Sequence, residues 1–372
     1  MERVWWEILR RLPVRSARLL TAGSAAAQAP ESVASWRRIA APRRPVSIKL
    51  PWFYLASAPA VARWGRGAPT VSMGAITAAP VDVAHVHFCH AGFRRLGIPR
   101  QTGDVLRSAN TALAGRMAVA AERACYRPTR ATLLAAVSNG VAADLRTHYP
   151  DVPVRVVPNG VDRDRFRPDP GVRARLRERL QIASGRVVAL FVGGEWELKG
   201  LQIAVQALAR VRERCPELLL VVVGAGNRQR FQALAHSAGV ADRVVFVGRQ
   251  EDPSPWYQSA DVFVLPSLYE TFSLVAHEAA ACGLPVVATP VHGIRELVGQ
   301  EEAGLLVERR AESVAVALYR LTSSSELRRR LGQAARERTA RYTWEQTTRA
   351  FLEVVAEARE RRERRGREGR AR

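Results

Sequence analysis

The chain has 372 residues, of which 47% are hydrophobic and 25% are charged, as in an ordinary folded globular protein. This length exceeds what one hydrophobic core usually needs, so it argues against a single small domain and favours two domains. The formal net charge is +22, and such a basic surface attracts anionic partners such as a nucleotide phosphate, an acidic membrane or nucleic acid.

The first part of the chain carries few clear elements. Residues 1–30 show neither a strand nor a Gly-rich turn into a helix, and they lack the uninterrupted apolar core of a signal peptide. The segment LPWFYLASAPAVA (50–62) is too short to span a bilayer. We expect it to pack on its own domain, with an interfacial position on a membrane as the alternative. Strands are predicted in VDVAHVHFCH, TLLAAVSNG and VRVVPNGVD, with a domain boundary between residues 154 and 170.

From residue 187 onward, short Val-rich strands alternate with amphipathic helices. The strands are predicted in RVVALFVGG, LLLVVVGAG, RVVFVG, DVFVLPS and LPVVATP. Continuous apolar strands separated by helices indicate a parallel sheet that is covered on both faces. Ligands bind at the carboxyl edge of such sheets. The Arg- and Glu-rich tail after Glu357 is predicted to fray into solvent.

Cysteine usage points to a reducing compartment. The four cysteines are widely separated and form no C-x-x-C pair, which argues against a zinc site or a disulfide framework. They are Cys89, Cys125, Cys215 and Cys282.

The stretch SLYETFSLVAHEAA (267–280) places two acids, Glu270 and Glu278, in an apolar part of the chain. Buried acids are rare unless they are paired. A helix is predicted to begin near Thr271, so its first backbone N–H groups are free to bind an anion. Those groups belong to Thr271, Phe272, Ser273 and Leu274. A helix cap for Glu270 and a satisfied structural position for Glu278 remain open alternatives.

A second motif, GGEWELKG (193–200), follows a predicted strand and precedes a helix. The pair Gly193 and Gly194 permits close backbone approach at the strand end, and Lys199 can project toward the same edge. An ammonium group there would neutralise a diphosphate leaving group.

The order PNGVD, FVGG-x4-KG, VVGxG and SLYE-x7-E-x3-CGxPVVAT resembles the family-four retaining glycosyltransferases of the GT-B fold. The resemblance implies an α/β protein with two Rossmann-like, doubly wound parallel-sheet lobes that face a cleft. Residues 1–165 would form the acceptor lobe, with residues 1–30 atypical and the lobe incomplete. Residues 166–345 would form the nucleotide-sugar lobe, and residues 346–372 a C-terminal helix and basic tail.

The resemblance also assigns roles to residues. Glu270 would contact hydroxyls of the transferred sugar, and Glu278 would hold the ribose. Lys199 would offset the diphosphate charge, the amides of residues 271–274 would hold phosphates and sugar, and Gly193 and Gly194 would line the donor site. His90 would approach the sugar from the acceptor lobe, with a structural role as the alternative. No metal and no cofactor are expected.

Three departures from the family pattern stand out. The family carries an arginine near the lysine, where this chain has Gly194 and Leu198, so we expect either that another basic residue such as Arg249 or Arg295 compensates or that the activity is weak. The family's Gly-Phe-Gly is Thr-Phe-Ser here (271–273), which narrows the space beside the phosphates. The missing N-terminal strand and Gly-rich loop predict a truncated reading frame or a degenerate lobe.

The leading hypothesis is a metal-independent retaining hexosyltransferase that uses a nucleoside diphosphate sugar and a glycan, lipid or small-molecule hydroxyl. We expect it in the cytoplasm, with peripheral contact at the inner, anionic face of the membrane and no nucleic-acid partner. One alternative is a non-catalytic basic protein of this fold that binds membrane or nucleic acid. Another is a different GT-B activity, such as a sugar-nucleotide epimerase. A glycan phosphorylase is disfavoured, because it needs a cofactor lysine and Lys199 is the only lysine of the second lobe.

Overall fold

The computed structural model describes residues 2–21, 30–40, 46–65, 67–97 and 105–368. The chain divides into two compact units. Unit 1 comprises residues 1–159 together with 344–372, and unit 2 comprises residues 160–343. The domain boundaries proposed from the sequence, after residues 165 and 345, lie a few residues further along the chain.

Residues 1–159 of unit 1 contain a four-stranded parallel sheet of order β3-β4-β5-β6 and a separate pair of parallel strands, β1 and β2. The apolar residues of β4 and β5 are wholly buried, as expected for strands covered on both faces. In chain order the elements are α1 (Glu2–Leu9), β1 (Ala17–Thr21), β2 (Val33–Arg38), α2 (Val46–Trp64), β3 (Val71–Ser72), β4 (Val81–Val86), α3 (His90–Arg95), α4 (Val105–Cys125), β5 (Ala131–Ala136), α5 (Asn139–His148) and β6 (Val154–Val156).

The prediction that residues 1–30 contain no strand is wrong. Strand β1 pairs in parallel with β2, from Ala17 opposite Val33 to Thr21 opposite Arg38. The segment ARLLT has only two large apolar residues and no alternation to mark it, so its pairing with β2 determines the structure, not its own pattern. Residues 22–29, where a Gly-rich turn would follow β1, lie outside the described residues.

The apolar segment at residues 50–62 is part of helix α2, which packs against α4. The outer side chains of α2 are not covered within the part of the chain that the structure describes: Ile48, Trp52 and Leu55 are 53%, 54% and 65% exposed. The segment therefore packs on its own unit along one side only. None of the described helices is both long and apolar enough to cross a bilayer.

Unit 2 contains one six-stranded parallel sheet, which confirms the parallel sheet and the five strands predicted from residue 187 onward. The sixth strand, at residues 304–306, was not predicted. The elements of unit 2 are α6 (Pro170–Arg179), β7 (Val187–Val192), α7 (Trp196–Lys199), α8 (Leu201–Val211), β8 (Leu218–Val223), α9 (Arg228–Ser237), β9 (Val244–Gly248), α10 (Ser254–Ser259), β10 (Val262–Leu265), α11 (Leu274–Ala281), β11 (Val286–Ala288), α12 (Ile294–Val298), β12 (Gly304–Leu306), α13 (Ala311–Ser323) and α14 (Ser325–Arg338).

The strand order of unit 2 is β12-β11-β10-β7-β8-β9. In chain order, the strands therefore run from the central β7 through β8 to the edge strand β9. The chain then returns to the centre with β10, beside β7, and continues through β11 to the opposite edge strand β12. The two central strands pair in parallel, with Val262 opposite Ala189 and Phe263 opposite Leu190. A crevice opens at the carboxyl ends of two strands where the winding reverses, and ligands of such sheets bind there.

The last helix, α15 (Trp344–Glu368), belongs to unit 1 and packs on β4, β5 and α1. The prediction that the chain frays after Glu357 is wrong for the residues described, because α15 remains helical to Glu368. Arg362 donates to the buried carboxylate of Asp82 at 3.0 Å, and Arg155 donates to Glu357 at 2.7 Å. These tertiary contacts anchor a helix whose own Arg–Glu pairs contribute little.

A buried aromatic cluster lies beneath α15. The ring of His85 on β4 lies 5.5 Å from that of Trp5 and 5.7 Å from that of Phe351. Neither nitrogen of His85 has a hydrogen-bond partner among the described residues. Because burial disfavours the imidazolium ion, the pKa of His85 falls to about 4. This histidine is therefore an uncharged member of the core at neutral pH.

Candidate functional site

The loops after β7 and β8 pack directly on each other at the carboxyl edge of the unit 2 sheet. A Cβ on Gly224 would lie 2.0 Å from the carbonyl oxygen of Gly193. The indole nitrogen of Trp196 donates to that same oxygen at 2.9 Å. Glycines are required here because the two backbones touch, as the sequence indicated for the Gly193–Gly194 pair.

Lys199 is the last residue of the short helix α7, and its side chain runs back over Gly193. A Cβ on Gly193 would lie 2.6 Å from Cδ and 2.7 Å from Cε of Lys199. Trp196 holds the helix in place, since its ring is buried and meets the ring of Phe231 edge-on at 5.4 Å. The absence of a side chain at Gly193 thus creates the channel that the lysine occupies.

Lys199 and Glu270 form an ion pair at the switch between β7 and β10. The Nζ atom donates to Oε1 at 2.6 Å, and the two side chains are only 17% and 13% exposed. The residues are far apart in the chain, but each follows one of the two central strands. The structure thus brings together two of the residues that the sequence proposed for catalysis. An ion pair this sheltered is screened little by solvent and is available to a charged ligand at the crevice.

Helix α11 begins at Leu274, three residues after the predicted start near Thr271. The preceding residue, Ser273, adopts a left-handed conformation with φ of 64°, which delays the helix. Phe272 turns inward and its ring stacks on that of His277 at 3.9 Å.

The backbone N–H groups of residues 271–275 lead into α11 and form the start of its first turn. Among the described residues, none accepts a hydrogen bond from these five groups. Five successive free N–H groups next to a helix N-terminus form a local electropositive surface suited to an anion. The group includes the predicted amides of Thr271, Phe272, Ser273 and Leu274, and adds that of Val275.

Glu278 lies one turn into α11 and is 2% exposed. The hydroxyl of Tyr257 on α10 donates to its Oε2 atom at 2.9 Å. This tyrosine was not identified from the sequence, where SPWYQS shows only a short amphipathic turn. The contact fixes the carboxylate and leaves its proposed ribose contact as a prediction.

The two arginines proposed to compensate for the family arginine are both exposed. Arg249 follows β9 at the carboxyl edge of the sheet, and Arg295 lies on α12, where its Nε atom donates to the carbonyl of Pro290 at 2.9 Å. A third arginine, Arg309, was missed. It follows β12, is half-buried, and donates to the carbonyl of Glu197 on α7 at 3.1 Å. Burial lowers the pKa of its guanidinium group.

In unit 1, His90 is the first residue of α3 and its ring lies 4.6 Å from that of Phe88. Glu122 on α4, which the sequence did not single out, accepts from the backbone N–H of His90 at 2.7 Å and of Ala91 at 3.0 Å. Tyr149 donates to the same carboxylate. Burial raises the pKa of Glu122, while these three donors oppose that rise. The acid therefore fixes the turn that carries His90.

Side chains that commonly bind metals do not cluster here. Within the ranges described, no group of three or more His, Cys, Asp or Glu residues is arranged to hold a metal ion. All four cysteines are unpaired and buried.

Comparison with known proteins connects this geometry to a family. Residues 172–338 match the family model described as glycosyl transferases group 1, and residues 1–165 match that of glycosyltransferase family 4. A D-inositol 3-phosphate glycosyltransferase of Xylanimonas cellulosilytica is 36% identical over 294 residues, which cover 75% of this chain and 68% of that protein. The chain belongs to the family 4 glycosyltransferases.

Other curated relatives of this glycosyltransferase are matched over less of their length. The D-inositol 3-phosphate glycosyltransferase of Salinispora arenicola is 38% identical over 236 residues, and the match spans 53% of it. This chain therefore spans about half the length of several curated relatives.

Solved structures confirm the GT-B fold of this glycosyltransferase. WaaG, a glycosyltransferase of lipopolysaccharide biosynthesis, matches with a TM-score of 0.76 over 95% of both chains at 21% identity. The sucrose-phosphate synthase of Thermosynechococcus elongatus matches with a TM-score of 0.72 over 87% of this chain and 82% of its own, at 26% identity. Anabaena HepE, solved with UDP-glucose, matches with a TM-score of 0.71 over 96% and 95% of the chains at 18% identity.

Proposed function

We propose that this glycosyltransferase is a retaining hexosyltransferase that moves a sugar from a nucleoside diphosphate sugar to a hydroxyl group. The observation that carries the proposal is the Lys199–Glu270 pair, which lies at the strand-order switch next to five free backbone amides. An ammonium group and a row of N–H groups suit a diphosphate, and a carboxylate suits sugar hydroxyls.

In this proposal the donor separates the Lys199–Glu270 pair, and each of the two residues binds a different half of the donor. The diphosphate binds the ammonium group of Lys199 and the amides of residues 271–275, and the sugar hydroxyls donate to Glu270. Glu278, oriented by Tyr257, accepts from the ribose hydroxyls. Negative charge that develops on the departing diphosphate is stabilised by groups already in place, so little reorganisation is needed at the moment of transfer.

We propose a uridine diphosphate sugar as the first donor to test and a phosphorylated cyclitol among the first acceptors. Anabaena HepE was solved with UDP-glucose, and the curated relatives are named for D-inositol 3-phosphate. Glycans and lipids remain in the acceptor panel. No metal or other cofactor is required in this proposal, because Lys199 and the amides meet the charge of the diphosphate.

We further propose a cytoplasmic protein that touches the anionic inner face of the membrane without crossing it. The net charge of +22 and the exposed side chains of Trp52 and Leu55 on α2 support this contact. Tryptophan and leucine on a basic surface are typical of helices that lie in the headgroup region.

A thermal-shift panel of UDP-, GDP- and ADP-sugars tests the donor site. A ligand that binds the folded state raises the melting temperature by mass action, by an amount set by its concentration relative to Kd. We expect a shift with one base, a shift reduced by Lys199→Ala, and transfer abolished in Lys199→Ala and Glu270→Ala. Arg329→Ala, an exposed change on α14, is the matched control and should behave as wild type. No shift with any donor, or full transfer in both site variants, would refute the assignment.

A further inference from the structure

A groove of about 590 Å³ lies between α3, α4 and α5 in unit 1. We call it the arginine groove, because four arginines and a histidine line it above a floor of alanines and a valine. The basic residues are Arg94, Arg116, Arg123, Arg127 and His148. Its volume is within the range of small-molecule sites. None of the proposed donor-binding residues contributes to it.

Two of the arginines, Arg116 and Arg123, share one face of α4, because a separation of seven positions returns the helix to nearly the same angle. Arg127 lies just after the helix ends, and its Nε atom donates to the backbone carbonyl of Arg123 at 2.8 Å, which holds its side chain beside α4. Like charges gathered in one groove repel each other. The repulsion among these guanidinium groups is therefore an unfavourable term that a bound anion would relieve.

Within the described part of the chain, no Asp or Glu side chain forms a salt bridge with Arg94, Arg116, Arg123 or Arg127. Glu122 is the neighbour of Arg123 in sequence, but its carboxylate accepts from backbone N–H groups and from Tyr149 instead.

The contrast with unit 2 is informative. There the partly buried guanidinium groups of Arg173 and Arg177 both pair with Asp261. Arginines of this chain can thus pair with a carboxylate of the protein, and among the described residues none of the four groove arginines does so.

We propose that the arginine groove binds a phosphate-bearing ligand. Guanidinium groups match phosphate oxygens in charge and in fork geometry, and a phosphate monoester carries up to two negative charges. The small, apolar floor leaves room for the carbon skeleton attached to the phosphate. The phosphate is supplied either by a free phosphorylated molecule or by the headgroup of an anionic phospholipid, and the test separates these sources.

The test measures binding in two arms with the full chain. One arm titrates glycerol 3-phosphate by calorimetry, with glycerol as the uncharged comparison. The other measures co-sedimentation with phosphatidylcholine vesicles that contain phosphatidylglycerol, against pure phosphatidylcholine. The variant is Arg116→Gln/Arg123→Gln, and Arg94→Gln/Arg127→Gln is the second variant. Arg329→Gln/Arg330→Gln, which removes the same charge from exposed positions on α14, is the matched control.

We expect wild type to bind in at least one arm, and each groove variant to lose about tenfold or more in affinity while the control loses little. The arm that responds identifies the source of the phosphate. No binding in either arm would overturn the proposal. An equal loss of affinity in the control would also overturn it, because the effect would then depend only on the overall charge of the protein. UDP-sugar thermal shifts of the groove variants should match wild type, so the outcome is separate from that of the donor site.

Discussion

Replacing Gly193 by alanine should displace Lys199 and so impair the proposed donor site without removing any charged group. The new Cβ would lie 2.6 Å from Cδ and 2.7 Å from Cε of the lysine. Carbon atoms in contact prefer about 3.5–4.0 Å, so the lysine stem must move by about 1 Å. That movement breaks the 2.6 Å contact between Nζ and Oε1 of Glu270.

The exchange of Gly193 should lower both the rate of transfer and the stability of the fold. A charge-assisted hydrogen bond contributes about 1.5–3 kcal/mol, which corresponds to a loss of roughly 10- to 150-fold in kcat/KM if the lysine acts on the transition state. Gly193 also has φ of 142°, a conformation that alanine adopts only with strain. This strain should lower the free energy of unfolding by about 1–3 kcal/mol.

Transfer kinetics with the donor found in the thermal-shift panel, together with urea unfolding, test both effects. The control is Gly185→Ala, an exchange at an exposed glycine just before β7 where a Cβ meets nothing within 4 Å. If Gly193 acts through the lysine, the double variant Gly193→Ala/Lys199→Ala should bind the donor no more weakly than Lys199→Ala alone, as measured by the thermal shift. Unchanged kcat/KM in Gly193→Ala, or fully additive losses of donor affinity in the double variant, would refute this reasoning.

Three further predictions concern stability and surface binding. The folded pKa of His85, about 4, lies below the usual histidine value of 6.5, so the unfolded chain binds more protons and the free energy of unfolding falls as pH drops through this window, by up to roughly 3 kcal/mol. His85→Leu should make that fall shallower in urea titrations at several pH values; an equal fall in variant and wild type contradicts the account. Ser273→Gly relieves a left-handed φ of 64° and should raise the free energy of unfolding by up to about 1 kcal/mol, whereas a lower melting temperature would show that the serine side chain contributes more than the strain. Trp52→Glu should weaken binding to anionic vesicles about tenfold or more, while Val316→Glu, a change at a 60% exposed position of unit 2, should not; equal losses would exclude α2 as the contact.

The parallel sheet of unit 2 could be predicted because its strands are short, apolar and bounded by glycines. Burial on both faces imposes that pattern directly on the sequence, so β7, β8 and β10 all lie where the pattern placed them. Strand β1 and the end of α15 had no such pattern. Pairing with β2 determines strand β1, and the ion pair between Arg362 and Asp82 determines the end of α15. Both are contacts with residues outside the segment itself.

The candidate site shows the same division. The glycines, Lys199 and the two glutamates could be chosen from the sequence, because charged residues in an apolar context and glycines at strand ends are unusual enough to be noticed. Tyr257 and Glu122 could not be chosen in this way, because each is an ordinary residue in its own segment. Their importance comes only from the groups that they contact, Glu278 and the turn at His90.

By itself, the sequence determined five of the six strands of unit 2, their parallel direction and the edge at which polar groups collect, because burial and turn chemistry leave a pattern in neighbouring residues. Only the tertiary structure decided that Lys199 meets Glu270, that Ser273 delays α11, and that arginines of two helices enclose one groove. Those outcomes depend on strand order and helix packing, which join residues far apart in the chain and leave no periodic trace in the sequence.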